Sequence, residues 1–203
     1  MSENILTLPE CTHQGMPFEE VLRKRRSVRH YSDQPMTPAQ LGQLLFAAQG
    51  QVPDDKGRPL RTAPSAGGTY PMELVVYVRE VDGVPTGIHR YLPEVHGLRL
   101  CAAGDISTEL MEACLFQPWV AKAQAVVIVT GVPDRIRPRY GDRSGQYIFL
   151  EAGHLAQNLL LQATSLGLAA VPVGSFTEER LQELLHLNRA WETIVYVIPV
   201  GTV

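Results

Sequence analysis

The sequence predicts one domain that mixes helices and strands. Its 203 residues suit a single domain with a sizeable core, and 45% of them are hydrophobic, which is ordinary for a globular protein. Helical and strand patterns alternate along the chain without an internal repeat. We divide the sequence into an N-terminal lead segment at residues 1–16 and one domain at residues 17–203.

Capping and spacing patterns predict the elements of the first half. In order, they are a helix at 17–27, a helix at 37–50, a strand at 73–80 and a hairpin at 87–104 that turns at 93–97. The first helix has a basic C-terminal end, which the helix dipole favours. The second has Thr37 as N-cap, Pro38 in its first turn and Gly50 as its stop.

The second half contains the longest predicted element. In order, the patterns predict a helix at 107–115, a strand at 123–132, a helix at 145–168, a helix at 178–187 and a strand at 192–201. The helix at 145–168 is apolar around most of its girth, which is typical of a central helix or one at a dimer interface. It carries a polar seam with helical spacing, formed by Tyr147, Glu151, His154 and Asn158. These groups need partners from the backbone, a ligand or a second subunit.

Composition and charge exclude several classes of function. The net charge of −3 argues against nucleic-acid binding. Cys11, Cys101 and Cys114 are far apart and odd in number, and the six histidines form no ligand-spaced cluster, so we predict no metal site. The first ten residues lack the features of a signal peptide, and no apolar segment is long enough to span a membrane. We therefore expect a cytoplasmic protein.

Three segments are suited to holding an anionic, flat ligand. Arginines surround Ser27 at positions 25, 26 and 29, which suits phosphate, although such a run also occurs at a solvated helix end. The segment PSAGGTYP, residues 64–71, places two glycines before a strand, where backbone without side chains can approach a ring. The segment VPVGSF, residues 171–176, could aim backbone N–H groups at a ligand.

These motifs carry a family resemblance. RRSVRHY, PSAGGTYP, LEAGHLAQNLLLQATSLGL and VPVGSF occur in the order seen in the nitroreductase superfamily. The sequence resembles that superfamily from about residue 17 to residue 201. Its form PSAGGTYPMEL is similar to the SagB-type dehydrogenase branch, because other members tend to have an asparagine after PSA.

The resemblance implies an α+β fold, in which a central mixed and mainly antiparallel sheet is wrapped by helices. It also implies an intertwined homodimer with flavin mononucleotide (FMN) at each interface, one set of contacts coming from the second subunit. By the same match, the flavin phosphate and the polar edge of the ring would be held by Arg25, Arg26, Ser27 and Arg29. The isoalloxazine would lie along Pro64, Ser65, Ala66, Gly67 and Gly68. Its reactive N5 would lie near Val173, Gly174 and Ser175.

Two departures from the family pattern change the expected chemistry. Members usually continue after the last strand into a tail that helps to bind the phosphate, whereas this sequence ends in PVGTV. We therefore expect the arginines to carry more of the phosphate binding. Azoline-oxidising SagB relatives use a Lys-Tyr pair before the long helix, and the comparable residues here are Arg139 and Tyr140. Tyr140 is the candidate acid or base, because arginine is too basic to exchange a proton near neutral pH.

The resemblance thus predicts an FMN-dependent oxidoreductase. It would transfer a hydride through the flavin between NAD(P)H and an electrophilic substrate, either a small molecule or a peptide-borne group. NAD(P)H would exchange as a co-substrate, since no GxGxxG motif follows a strand. Two alternatives stay open at this point: a dehydrogenase that oxidises azoline rings in a modified peptide with partner proteins, and a flavin-binding accessory protein without turnover.

Overall fold

A computed structural model describes residues 5–12, 15–187 and 192–203. The strands are β1 (Ile5–Thr7), β2 (Gln51–Pro53), β3 (Pro59–Arg61), β4 (Met72–Val78), β5 (Gly87–Leu92), β6 (Gly97–Ala103), β7 (Ala125–Gly131), β8 (Ala169–Ala170) and β9 (Thr193–Gly201). The helices are α1 (Phe18–Lys24), α2 (Pro38–Gln49), α3 (Ser107–Ala113), α4 (Pro118–Lys122), α5 (Pro133–Tyr140), α6 (Ser144–Ser165) and α7 (Glu178–Leu184).

Seven strands form one sheet in the order β1-β6-β5-β4-β7-β9-β8, and β2 pairs with β3 in a separate hairpin. Neighbouring strands of the sheet run antiparallel throughout. Alternate residues of β4 enter two cores: Leu74 and Val76 pack with α2 and α6, whereas Val75 and Tyr77 pack with α3, α4 and α7. Because helices cover both faces, all seven residues of β7 are buried. The predicted α+β fold class is confirmed.

The best-specified helix is α2, which has the predicted ends. Thr37 Oγ1 accepts from the Gln40 N–H at 3.2 Å, and Gln40 Oε1 accepts from the Thr37 N–H at 2.9 Å. This capping box satisfies two backbone donors that a helix start would otherwise leave free. Pro38 occupies the first turn and Gly50 follows the last residue, as expected from the sequence.

The elements that sequence patterns missed are short or contain breakers. β1, β2, β3 and β8 have two or three residues each. β1 and β8 depend on pairing with β6 and β9 of the large sheet, and β2 and β3 on pairing with each other. α5 includes Pro138 and is rich in charge, so it lacks a helical pattern. β1 adds an edge to the sheet, and Leu8 is buried in the core.

Residues 1–4 and 13–14 of the predicted lead segment lie outside the described residues, and the division of the chain at residue 16 stays a prediction. Among the residues that the structure describes, no helix combines the length and the hydropathy needed to cross a membrane.

The longest helix, α6, positions much of the candidate site. Its 22 residues extend about 33 Å and bury one side against α2 and the sheet. Phe149 and Leu150, on the other side, are 61% and 52% exposed. As the sequence predicts, α6 is apolar on most sides, and in a single chain some of its large apolar side chains are exposed to solvent.

Candidate functional site

The segment between β3 and β4 forms a tight loop, which we call the glycine loop (residues 64–70). Gly67, Gly68 and Tyr70 all have left-handed backbone conformations, with φ angles of 61°, 64° and 44°. Glycine adopts this region at little cost, but a tyrosine there is strained. The Tyr70 N–H donates to Ser65 Oγ at 2.9 Å and closes the loop. Pro64 is exposed, and Ser65 and Ala66 are half-buried.

The two glycines of the loop have different surroundings. Arg139 Nη1 donates to the Gly67 carbonyl oxygen at 3.1 Å, and a β-carbon on Gly67 would lie 2.7 Å from Arg139 Cζ. A β-carbon on Gly68 would meet no protein atom within 4 Å. The absence of a side chain at Gly67 therefore makes room for Arg139. At Gly68 it leaves the backbone open to solvent.

An aromatic pair adjoins this loop. α5 ends at Tyr140, whose ring centroid lies 4.5 Å from that of Tyr147 on α6. The Arg139 guanidinium is 5.7 Å from the Tyr140 ring centroid, and the Arg143 guanidinium is 5.1 Å from that of Tyr147. The tyrosine predicted as acid or base is thus in a cationic setting.

Beneath the loop is a buried carboxyl group, Glu151, which sequence reasoning placed in the polar seam but not in the site. The residue is 2% exposed, and neither of its carboxyl oxygens has a hydrogen-bond partner in the described chain. Burial raises the pKa of Glu151 to about 7, and the neighbouring Ser65 hydroxyl lowers it in part. The other seam residues are less buried: Tyr147 and Asn158 are half-buried and His154 is exposed.

The predicted phosphate-binding residues follow α1. Arg25 caps the helix, and the Val28 N–H donates to the Ala170 carbonyl at 3.1 Å, which holds the segment beside β8. Ser27 is exposed. Among the described residues, Arg26 donates to the backbone carbonyls of residues 23 and 25. Within the described residues, the arginines at 25, 26 and 29 form no ion pair with a carboxylate.

The turn at residues 173–175 is the segment that the family resemblance places near the flavin N5. Val173 is buried and its N–H donates to the Val197 carbonyl at 2.8 Å, whereas Gly174 and Ser175 are exposed. The Ser175 carbonyl accepts from Gln117 Nε2 at 3.0 Å. A β-carbon on Gly174 would meet nothing within 4 Å. The turn therefore combines a fixed backbone with open space beside it.

Residues around α4 connect these two segments, although no sequence motif marked them as site residues. Trp119 stacks with Arg29, whose guanidinium lies 5.3 Å from the ring centroid, and Gln117 holds the 173–175 turn. The Trp119 indole N–H and the Tyr31 hydroxyl are buried without a partner among the described residues. The only sequence signal was a tryptophan beside Pro118. We call Arg25, Arg26, Ser27, Arg29 and residues 173–175 the basic patch.

The structure brings the predicted residues together in two groups rather than one. The glycine loop lies beside Glu151, while the arginine segment of the basic patch is bonded to Ala170, beyond the far end of α6. Fourteen residues, roughly 21 Å of helix, separate Glu151 from Ser165. Across the described parts of the chain, no hydrogen bond or ion pair joins the two groups.

Similarity to known proteins covers nearly the whole chain. The model of the Nitroreductase family matches residues 22–202. A protein of Methanocaldococcus jannaschii that carries the nitroreductase name is 43% identical over 196 residues, which are 97% of this chain and 95% of that protein. A Ralstonia eutropha structure, also named as a nitroreductase, is 30% identical with a TM-score of 0.84, and the match covers 100% of this chain and 90% of that one.

More distant structures share the fold. The E. coli microcin synthetase complex with a bound truncated precursor matches at 18% identity and a TM-score of 0.75, over 100% of this chain and 79% of that one. A Desulfovibrio desulfuricans protein in complex with FMN matches at 20% identity and a TM-score of 0.65, over 92% of this chain and 86% of that one. From the family model and the Methanocaldococcus relative, the chain belongs to the nitroreductase family of oxidoreductases.

Proposed function

We propose that this protein is an FMN-dependent oxidoreductase of the SagB-type branch. It transfers a hydride through the flavin between NAD(P)H and an electrophilic substrate. The observation that carries the proposal is the basic patch, where three arginines lie beside open backbone without a carboxylate partner in the described chain. Uncompensated cations held in one place favour an anion, and the planar guanidinium fork matches the geometry of a phosphate.

The residues present suit FMN. Arg26, Arg29 and the Ser27 hydroxyl would bind the phosphate, and the exposed backbone at Gly174 and Ser175 would face the ring. The flavin supplies the hydride chemistry when it is bound, and the protein supplies binding and orientation. Its presence in the Desulfovibrio structure of the same fold supports the choice of FMN. Tyr140 would hold or move a proton at its hydroxyl oxygen.

We propose further that two copies build each site. The glycine loop and the arginine segment lie near opposite ends of α6 in one chain, so a second copy is needed to bring a loop against a patch. The exposed Phe149 and Leu150 provide apolar surface for such an interface. The homodimer expected from the family resemblance agrees with this arrangement.

Azoline oxidation in a modified peptide is less well supported. The similarity to the microcin synthetase complex concerns the fold alone. Arg139 stands where azoline-oxidising relatives have a lysine, and it is bonded to the Gly67 carbonyl. Arginine is too basic to exchange a proton near neutral pH, so any proton exchange falls to Tyr140.

The proposed activity is tested on the purified protein. We expect the visible absorption bands of bound flavin, and steady-state oxidation of NADH or NADPH when a quinone or a nitroarene is supplied. The control is the same assay without the electron acceptor. A protein that carries flavin but whose flavin neither nicotinamide reduces under anaerobic conditions would instead be the accessory protein considered above.

Phosphate binding is tested by Arg26→Ala and Arg29→Ala. Each variant loses a charge-assisted hydrogen bond, which costs about 1.5–3 kcal/mol, so the Kd for FMN rises roughly tenfold or more. Arg58→Ala is the control, because Arg58 is exposed and pairs with Asp54 away from the patch. Titration of apo-protein with FMN measures all three. If both patch variants bind FMN as the parent does, the phosphate lies elsewhere.

The role of Gly68 is tested against a glycine of matched geometry. Gly83 has a φ of 68° and, like Gly68, no atom within 4 Å of an added β-carbon. Gly68→Ala and Gly83→Ala should therefore each lower apo-protein stability by about 1 kcal/mol through backbone strain. Only Gly68→Ala should weaken FMN binding, by roughly tenfold, or about 1.4 kcal/mol. Equal FMN affinity in the two variants would mean that Gly68 is needed only for the backbone conformation of the turn and not for FMN binding.

The shared site is tested by light scattering. We expect the flavin-loaded protein to have twice the mass of the 22.4 kDa chain. Phe149→Arg should weaken both dimer formation and FMN binding, because it places a charge in the apolar interface. Val95→Arg is the control at an exposed apolar residue of the hairpin turn, and it should change neither. A flavin-loaded monomer would contradict the two-copy arrangement.

A further inference from the structure

A large cavity lies beside the glycine loop, where two neighbouring strands of the sheet separate. Its volume is about 680 Å³, a size typical of small-molecule sites, and Thr69 and Tyr70 of the loop form part of its wall. β4 pairs with β7 from Met72 to Val78, but it pairs with β5 only from Val75 onwards. The first residues of β4 and the last residues of β5 line the cavity. The proposed function uses the loop but does not use this cavity.

The wall of the cavity is rich in arginine. Four arginines line it, namely Arg61, Arg90, Arg99 and Arg135. They outnumber by one the carboxylates around them, which are Glu73 and Glu94 in the wall and Glu192, bonded to Arg90 at 2.9 Å. A ligand with a single negative charge would balance this excess of positive charge.

Two of these arginines contact Tyr70. Arg135 Nη1 donates to the Tyr70 carbonyl oxygen at 3.1 Å, and the Arg61 guanidinium lies 5.9 Å from the Tyr70 ring centroid. Tyr70 has a φ of 44°, a conformation that a non-glycine residue keeps only where its surroundings enforce it. A strained residue of the glycine loop is therefore held by contacts with two guanidinium groups of the cavity wall.

Arg61 has an ion-pair partner that a ligand can replace. Its side chain is 15% exposed, and its Nη1 donates to the Gln49 carbonyl oxygen at 3.4 Å. Its Nη2 donates to Glu94 Oε1 at 2.7 Å, but the Glu94 side chain is 60% exposed. An exposed carboxylate loses little free energy when it leaves such a pair for water. A carboxylate on a ligand can then take its place on the guanidinium fork.

We propose that this cavity binds a carboxylate of the substrate that the flavin reduces. Arg61 is the residue that binds the carboxylate, and Glu94 is the counterion that the carboxylate replaces. The substrate class is thus a small electrophile with one carboxylate, and in naming a substrate the inference rests on the proposed function. Binding of a carboxylate compound in the cavity is a property of the chain alone, so it can be tested without flavin.

The first measurement is binding to flavin-free protein by isothermal titration calorimetry. The probes are 4-nitrobenzoate and the uncharged 4-nitrobenzyl alcohol. We expect the parent to bind 4-nitrobenzoate roughly tenfold more tightly, because only the carboxylate forms charge-assisted hydrogen bonds with Arg61. Arg61→Gln should abolish this preference, whereas Glu94→Gln should increase it, because the competing carboxylate is removed. Arg180→Gln is the control, since Arg180 pairs with Glu112 at 2.9 Å between α7 and α3, and it should keep the parental preference.

The second measurement is steady-state kinetics of the flavin-loaded protein with the same two compounds as acceptors. In each two-electron step NAD(P)H gives a hydride and is oxidised, one proton is taken up, and the nitro group is reduced to a nitroso group with release of water. Arg61→Gln should raise KM for 4-nitrobenzoate roughly tenfold with kcat unchanged, because it removes binding energy that substrate and transition state share. The KM for the alcohol, the KM for NAD(P)H and the Kd for FMN should stay at their parental values.

The outcomes separate the inference from the proposed function. Equal affinity of the parent for the two probes would overturn the inference, and so would an equal loss of both probes in Arg61→Gln. A rise in KM for NADH or NADPH, instead of for 4-nitrobenzoate, would also overturn it and assign Arg61 to a phosphate of the dinucleotide. If Arg61→Gln does not fold, Glu94→Gln decides, and an unchanged preference there would overturn the inference. If the parent holds no flavin, the proposed function fails, and the binding measurement alone decides whether the cavity is a carboxylate site.

Discussion

The packing of α6 against the central sheet fixes the positions of both groups of predicted site residues. Its buried side, with Ile148, Ala152, Leu155 and Leu159, contributes to the larger core. Because a helix core of this kind is close-packed, the helix cannot slide without opening cavities. One end of α6 therefore holds Glu151 beneath the glycine loop, and the other leads into β8, against which the arginine segment is bonded.

Buried polar groups without partners concentrate beside these two groups. Three of the five residues with such atoms in the described chain, Tyr31, Trp119 and Glu151, adjoin the basic patch or the glycine loop. The remaining two are also close: Gln49 lines a cavity with Tyr70, and Gln124 lies near Tyr31 beside Gly201. Burial raises the pKa of Tyr31 against the opposing charge of Arg29, so its hydroxyl stays protonated and able to donate. Two unused donors, the Tyr31 hydroxyl and the Trp119 indole N–H, thus lie buried behind the cations of the basic patch.

The sequence predicted the fold well where local signals determine it. Thr37 and Gln40 form a cap through bonds within one turn, and the buried strand at β4 shows in its β-branched run. The contacts that organise the site are long-range and leave no local pattern. Arg139 meets Gly67 across 72 residues of sequence, and Trp119 meets Arg29 across a similar distance. The polar seam is visible in the spacing along α6, but spacing could not show that Glu151 is buried without a hydrogen-bond partner in the described chain.

A cofactor bound between two chains is coupled thermodynamically to their association. Suppose that each FMN contacts a basic patch from one copy and a glycine loop from the other. The free energy by which FMN stabilises the dimer then equals the free energy by which dimer formation strengthens FMN binding. In that arrangement, the separation of the two groups along α6 would make flavin retention depend on protein concentration. Dilution would release the cofactor without any change in its intrinsic contacts, and in a cell the amount of chain synthesised would set the fraction that carries flavin.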